Sequence, residues 1–464
     1  MIAAMPKDLR SYLDDVKDVR IDVDREVDPL GNVGALCDQS EWPIVFRRLK
    51  GFPGWQLADR LVSRRELQAR ILGCAPDRVV PTLAAAIQRI GSGELKVVSS
   101  APVQSIVRKG PDADLTTLPH CIHSEGDAGR YIGSGICITR DPASRIRNLA
   151  FLRHQVKGPR RTGFLVLPRH TWRHQQKYEA ANQPMPMAIV IGVHPAYEIA
   201  TCYTGKVEQD ELELAAVLVD EPVELVRCAT IDMEVPAHAE IVIEGHVLPG
   251  VREDEGPFGE VTNYTAGQGK NPVFEVTAIT TRPDPIYRHI QATRFTDHQV
   301  LGALPVEAGM YNRLRETAGG IDIHEVACPA WCSRYTVIVQ MTPRFDGEAR
   351  AALLAALSSP YLYPKLAIAV DADVDVHDAR DVMWAMATRV NPETDVHVIP
   401  GMRAHGLDLA SPELLPPGSP AWQRVGGKMF IDATKPATWR KQERELWERA
   451  RPKGWGARLD DFVK

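Results

Sequence analysis

Apolar and polar positions fall into three textures along the chain. Up to about residue 110, helical and strand-like periods mix. The segment DLRSYLDDV predicts a helix with Asp8 as its N-cap. VRIDVDREV alternates apolar and charged residues, the pattern of a half-buried strand. RRELQARILG and VPTLAAAIQRI are helical in period, with Gly73 placed to close the first. From about 111 to 310 the texture turns to β. YIGSGICITR, FLVL, MAIVIGV, AEIVIEGHVL and FEVTAITTR are rich in Val, Ile and Thr and are bounded by Gly, Pro or Asp. The amphipathic TWRHQQKYEAANQ and the segment ELELAAVLV interrupt them as helices. This is the pattern of a β-barrel or sandwich carrying helical insertions. From about 320 to 435, YTVIVQM, GEARAALLAALSS, KLAIAVDADVDV and ARDVMWAMATRV alternate strand and helix, as an α/β layer does. KLAIAV is a continuous apolar run, expected of a strand buried on both faces. The segment from Ala437 onward starts as a charged helix. It carries Trp residues that either a partner subunit or the chain's own surface must cover.

At 464 residues the chain has room for two to four domains of about 100–200 residues each. A core of that size folds without disulfides. Hydrophobic residues make up 44% and charged residues 25%, which excludes a disordered, collagen-like or small disulfide-stapled protein. Lys+Arg is 55 against Asp+Glu 60, a net charge of −5 that argues against a nucleic-acid partner yet permits a local basic pocket. The eight cysteines are scattered, and the close pair Cys328 and Cys332 has no second pair to complete a zinc site. Reduced, buried thiols are expected. Charges begin at Lys7 with no apolar run after them, unlike a secretory leader. The longest charge-free apolar stretch, Pro184 to Tyr197, is broken by prolines, Gly192 and His194 and falls short of the about 20 residues of a membrane span. A cytoplasmic protein without a membrane partner is the expectation.

The most distinctive segment is REDEGPFGEVTNY, Arg252 to Tyr264. Glu255 and Glu260 bracket Gly256-Pro257-Phe258-Gly259, a composition that forbids regular helix or central strand. A tight turn there can bring both carboxylates to one cavity. One ionised group then opposes ionisation of the next, leaving a proton to donate; the other reading is a surface turn with two solvated acids. In RNLAFLR, Arg153 offers a fork for a substrate carboxylate, or an ordinary salt bridge. In PRHTWRH, His170 and His174 stand four apart, on one face of a helix, as a metal pair or as two satisfied surface histidines. EQDELELAAVLVDE offers several acids. GxxxxGK[ST], GxGxxG and GxSxG are absent, which disfavours P-loop and common α/β-hydrolase chemistry.

Together these segments resemble the UbiD family of reversible decarboxylases, which use prenylated FMN. The order DLRSYL…VRIDVDREVD, LPHCIHSEGDAGRYIGSGICITRDP, VKGPRRTGFLVLPRH, PVELVRCATIDMEVPAHAEIVIEG, EGPFGE, KLAIAVDADVDV and GGKMFIDAT carries the resemblance over nearly the whole chain. It implies an α+β multidomain fold: an N-terminal α/β region over 1–110, a split β-barrel flavin domain over 111–315 and a C-terminal α/β oligomerisation domain over 316–464. It implies that Asn148, His170 and Glu211 hold Mn²⁺ or Mg²⁺ bridging to the flavin phosphate, with Glu208 and Glu213 as the alternatives to Glu211. Arg153, Arg169 and Lys365 would also contact the cofactor, and Thr201 and Tyr203 fall near a K⁺ site. Arg153, Glu255 and Glu260 would form the catalytic Arg-Glu-Glu network.

The implied reaction is CO₂ loss from an aromatic, heteroaromatic or α,β-unsaturated acid, or the reverse. Such a carbanion lies in the ring plane, so the flavin must provide the electron sink. Arg153, held by Glu255, would orient the carboxylate, and Glu260, its pKa raised by burial, would deliver the proton. A flavin prenyltransferase would supply the cofactor, and a homodimer or homohexamer is implied. The stretch from Thr293 to Tyr311 matches no single substrate class. Decarboxylation of an aryl-CoA thioester, a non-catalytic flavin-binding or assembly subunit, and a metal-dependent hydrolase are the alternatives.

Overall fold

A computed structural model describes residues 6–292, 297–316, 320–411 and 424–462. Helix Leu9–Asp15 starts where the Asp8 carboxylate accepts from Ser11 N, while the Ser11 hydroxyl accepts from Asp8 N. Helix Arg65–Leu72 ends at Gly73, whose φ of +63° is left-handed. The alternating segment near residue 20 makes only the short strand Ile21–Val23, with Ile21 exposed, because it edges its sheet. That sheet orders Ile21–Val23, Ile44–Phe46, Gln56–Asp59 and, returning from far along the chain, Ile286–Arg288.

The central layer is a nine-stranded sheet. Its path runs Tyr131–Ile132, His154–Gly158, Arg161–Phe164, Gly269–Thr281, Ile241–Glu255, Met185–Ile191, Ile136–Arg140 and Arg147–Phe151, and Ile106–Lys109 also pairs with Gly269–Thr281. Successive strand residues point to opposite faces. Ile189, Ile191, Ile241 and Ile243 enter one core with Phe164 and Phe274. Ala188, Val190 and Val242 enter a second core with Ile199, Leu212 and Ala215 of the covering helices. Burial on both faces explains why these strands read as unbroken apolar runs. FLVL departs from expectation: the strand is Arg161–Phe164, and Leu165, Val166 and Leu167 leave the sheet to line a cavity. Arg252 to Glu255 pair with Pro272 to Gly269, so the turn between the two acids begins at Gly256.

The C-terminal sheet orders Ile323–Ala327, Thr336–Met341, Leu366–Val370, Arg424–Ala433 and Val396–Ala404, with its three middle strands parallel. Helices Glu348–Leu357 and Ala379–Arg389 pack on it. KLAIAVDADVDV is strand only to Val370. Asp371 then turns the chain by accepting from Lys435 N and pairing with Arg444. In the final segment Lys441–Glu445 is helical, and the chain's own surface leaves Trp439 and Trp455 more than half exposed.

Helix Asp297–Glu316 joins the layers. Its first residue is fixed in a buried ionic knot: Arg288, wholly buried, donates to both Glu198 oxygens at 2.8 and 3.0 Å and to Asp297 at 2.6 Å. Leu61 N and Val62 N donate to the same Asp297 carboxylate. Three acids around one guanidinium are tolerable in the interior because backbone N–H groups, His289 and the nearby Arg60 share their charge.

Candidate active site

A cavity of about 540 Å³ lies between the central sheet, helix Asp297–Glu316 and the C-terminal region. One wall is the strand Arg147–Phe151 and the residues after it. Asn148 is buried there, and its Nδ2 donates to Thr171 Oγ1 at 2.8 Å, leaving Oδ1 free to ligate. His170 opens helix His170–Ala180, and Glu211 opens helix Glu211–Val219 behind its N-cap Asp210. All three line the cavity. Of the three acids weighed, Glu211 alone reaches it; Glu208 is exposed and Glu213 turns toward Gly91 and Gly93.

Burial pushes the Glu211 carboxyl up to about 8, against the backbone donors Leu149 N, at 2.9 Å, and its own N–H. Burial, then the neighbouring Arg169 and Arg173, push His170 below the ordinary imidazole range, so its ring is neutral and can ligate. A buried carboxylate short of a counter-charge, a neutral imidazole and a free amide oxygen fit a hard divalent cation. His174 is not part of this group: it faces Thr139 Oγ1 at 3.0 Å and does not line the cavity. Among the described residues, one other set of ligand types converges: Cys37, Asp59 and His289, all buried. Asp59 already bonds His289 Nδ1 at 2.7 Å and pairs with Arg288, so that set is internally neutralised.

At the opposite part of the wall, Arg153 donates through Nε and Nη2 to the two oxygens of Glu255 at 3.0 and 3.1 Å, a bidentate fork. Its remaining Nη1 donates to Glu260. The guanidinium lies over the Phe258 ring, 4.9 Å from its centroid. Glu255 has no exposed surface and takes a further bond from Asn271 at 3.0 Å. Arg153 and Glu260 line the cavity; Glu255 stands behind them. The turn between the two acids needs its glycines. Gly256 has φ +91°, where an added Cβ would lie 2.8 Å from Gly267 O, and a Cβ on Gly259 would collide with the Ser124 hydroxyl.

Arg169, Thr201 and Tyr203 also line the cavity. Lys365 does not: its Nζ holds Asp408 at 2.8 Å in a small adjoining recess that shares Tyr363 and His405 with the cavity wall. The basic groups that do line the wall here are Arg334, Arg403, His298 and His405. Arg334 is 6% exposed, lies over the Tyr363 ring, and has no carboxylate partner among the described residues; its Nε and Nη2 are unbonded. His298 Nδ1 is likewise unbonded, and burial holds that ring down to about 3. Nothing in the local pattern around Arg334 announces this role, because its neighbours come from other parts of the chain.

This arrangement has known counterparts. Residues 96–294 match the family model of the 3-octaprenyl-4-hydroxybenzoate carboxy-lyase Rift-related domain, and residues 299–433 match that of its C-terminal domain. The chain belongs to the UbiD family. Its members are carboxy-lyases, and this chain is an enzyme of that class. Anhydromevalonate phosphate decarboxylase of Methanothermobacter thermautotrophicus is 30% identical over 435 residues, which cover 92% of this chain and 97% of that protein. The UbiD-class enzyme HmfF from Pelotomaculum thermopropionicum, solved as an evolved dimeric form with prFMN, superposes with a TM-score of 0.87 at 35% identity. The match covers 99% of this chain and all of that one. Klebsiella pneumoniae 3,4-dihydroxybenzoic acid decarboxylase (AroY) gives 0.87 at 27% identity over 99% of each chain. The mixed α/β multidomain fold and its half-barrel sheet are thus those of UbiD-class enzymes. None of the described helices is long and apolar enough to cross a membrane.

Proposed function

We propose that this UbiD-family chain catalyses reversible, non-oxidative decarboxylation of an aromatic, heteroaromatic or α,β-unsaturated carboxylic acid with prenylated FMN. The observation that carries the reading is the ionic triad. Arg153 is gripped from behind by Glu255 and touches Glu260 in front, and only those two groups open on the cavity. One guanidinium already faces two carboxylates. A substrate carboxylate entering beside it adds a third negative charge in a dry site, so the group must take up a proton. Glu260 is the acid placed to hold it. Arg153 swings from Glu260 to the substrate carboxylate while Glu255 keeps the fork oriented. The C–C bond to the carboxylate breaks, CO₂ leaves, and the electron pair remains with the substrate. Glu260 then places its proton on that carbon and is reprotonated from water; in carboxylation it removes the proton. When bound, the flavin supplies the electron sink for that pair.

Asn148, His170 and Glu211 would hold Mn²⁺ or Mg²⁺ against the flavin phosphate, with Arg169 close by. The apolar run Leu165 to Leu167 suits the flat face of a ring system. The implied K⁺ would lie by Thr201 and Tyr203, on the same wall. Lys365 remains a candidate phosphate contact only if its bond to Asp408 opens. Glu211→Gln keeps the acceptor for Leu149 N but removes the charge. In a Mn²⁺ titration of cofactor-free protein followed by electron paramagnetic resonance, its affinity falls at least as far as the about 10- to 100-fold that losing a supporting contact costs. Unchanged affinity would reject the ligand set.

Arg334, which has no carboxylate partner among the described residues, narrows the substrate. A buried guanidinium without a counter-charge is costly unless the ligand completes it. With His298 it fits a second acidic group on the acid being decarboxylated. The deciding experiment co-expresses the chain with a flavin prenyltransferase, purifies it without oxygen, and screens mono- and dicarboxylic acids and aryl-CoA thioesters for CO₂ release. Diacids turn over fastest, and Arg334→Met raises their KM about 10- to 100-fold, the loss of one charge-assisted contact of about 1.5–3 kcal/mol. CO₂ release from none of the acids, by flavin-loaded protein, would refute the function.

A further inference from the structure

Asp127 is a half-buried acid in the SEGDAGR turn. Its two oxygens do different things. Oδ2 closes its own turn by accepting from His123 N at 3.0 Å and Ser124 N at 2.9 Å. Oδ1 reaches across more than a hundred residues of chain and accepts from Gly259 N at 2.8 Å. Gly259 immediately precedes Glu260. Beside this bond, Ala128 N donates to Pro257 O at 2.9 Å, and the Tyr131 hydroxyl donates to the same carbonyl at 3.2 Å. On the other side of the acid, Glu260 N donates to Tyr264 O at 2.9 Å. The backbone that carries Glu260 is therefore held from both sides, and a side-chain anion makes the hold on the Gly259 side. No ion pair reaches Asp127 among the described residues; three backbone N–H groups, an anion nest, and the more distant charge of Arg153 oppose the burial that raises its pKa.

We propose that Asp127 is a positioning residue for the decarboxylation, fixing the Gly256–Glu260 turn at the distance that lets Glu260 meet both Arg153 and the reacting carbon. The physical basis is directional. Gly259 has no side chain and packs directly on Ser124, so no side-chain contact of its own can locate it. A hydrogen bond to a carboxylate is stronger and more directional than one to water or to a neutral acceptor. Proton delivery to carbon requires heavy atoms close to contact distance, so a shift of about 1 Å in the turn lowers rate by about 100-fold while leaving substrate and flavin contacts elsewhere intact. Asp127 does not line the cavity and makes no hydrogen bond or ion pair with Arg153 among the described residues; Arg153 acts on it only through space, and its one bond to the catalytic loop is the one to Gly259 N.

The inference rests on the function proposed above, and its test has one arm that does not. In prenylated-flavin-loaded enzyme, Asp127→Ala lowers kcat on the best acid by about 10- to 100-fold with KM within about threefold and the flavin absorbance spectrum unchanged. In the same protein, without substrate, amide hydrogen exchange speeds up in the peptide covering residues 255–264. Asp127→Asn keeps one acceptor oxygen, which cannot serve Gly259 and the 123–124 turn together, and gives a smaller fall in kcat with the same exchange signature. It also decides the matter if the Ala variant does not fold. Asp114 is the control: it caps an equivalent turn through Thr116 N but makes no bond to the 256–260 turn, and Asp114→Ala keeps wild-type kcat and exchange. Wild-type exchange over 255–264 in both Asp127 variants would overturn the inference, even if no acid were ever turned over. So would a kcat within twofold of wild type, or a loss confined to KM.

Discussion

Glu260→Gln enzyme, loaded with flavin, releases no measurable CO₂ from any acid that the unaltered protein decarboxylates. Removing a general acid costs about 10²–10⁴-fold, and neither of the other two members of the triad replaces it. Of the three members of the ionic triad, Glu255 is sealed behind Arg153, and Arg153 does not deprotonate. Gln keeps the shape and an oxygen for Arg153 Nη1, so the cavity and flavin content should persist; absorbance and flavin quantitation check that. The variant also separates substrate entry from proton delivery, since acids still bind to Arg153 and displace one another in a ligand-competition assay. Full activity in Glu260→Gln would sink the assignment of the donor.

The legible parts of the chain are those where local chemistry forces local structure. Asp8 before an apolar period and Gly73 after one marked helix ends correctly, because caps satisfy backbone groups within a few residues. Unbroken apolar runs gave the central strands. FLVL misled for an instructive reason: apolar side chains that face a ligand cavity look like strand core in sequence, and only the third dimension separates the two uses. The acids of EGPFGE could be read as a pair on a turn, since Gly256 and Gly259 restrict what the backbone can do there. The register of Glu255 could not, because its strand is set by pairing with residues 269–272. Arg334, His298 and Asp127 were invisible for the same reason. Their meaning lies in partners, or in missing partners, that folding brings from more than a hundred residues away or from another layer.

Arg153→Met tests the same triad from the cation side and predicts two losses at once. Glu255 is fully buried and Glu260 nearly so, and Arg153 is the cation they share. Deleting it leaves two carboxylates facing each other, with Asn271 still donating to Glu255. Breaking a buried pair on one side costs about 3–5 kcal/mol. The variant should therefore unfold at lower urea, and its deficit should shrink as pH is lowered, because protonation removes the unpaired charge. Turnover is lost as well, since nothing then orients the substrate carboxylate. The two losses come apart in the double variant Arg153→Met, Glu255→Gln. With one buried charge removed, much of the stability returns, yet CO₂ release stays absent because the carboxylate still has no fork to dock on. If the single variant were as stable as the parent, the triad would be a loose surface cluster rather than the buried ionic core of the site. If the double variant regained turnover, Arg153 would be structural support and the substrate would be held by another cation of the cavity, with Arg334 the first to examine.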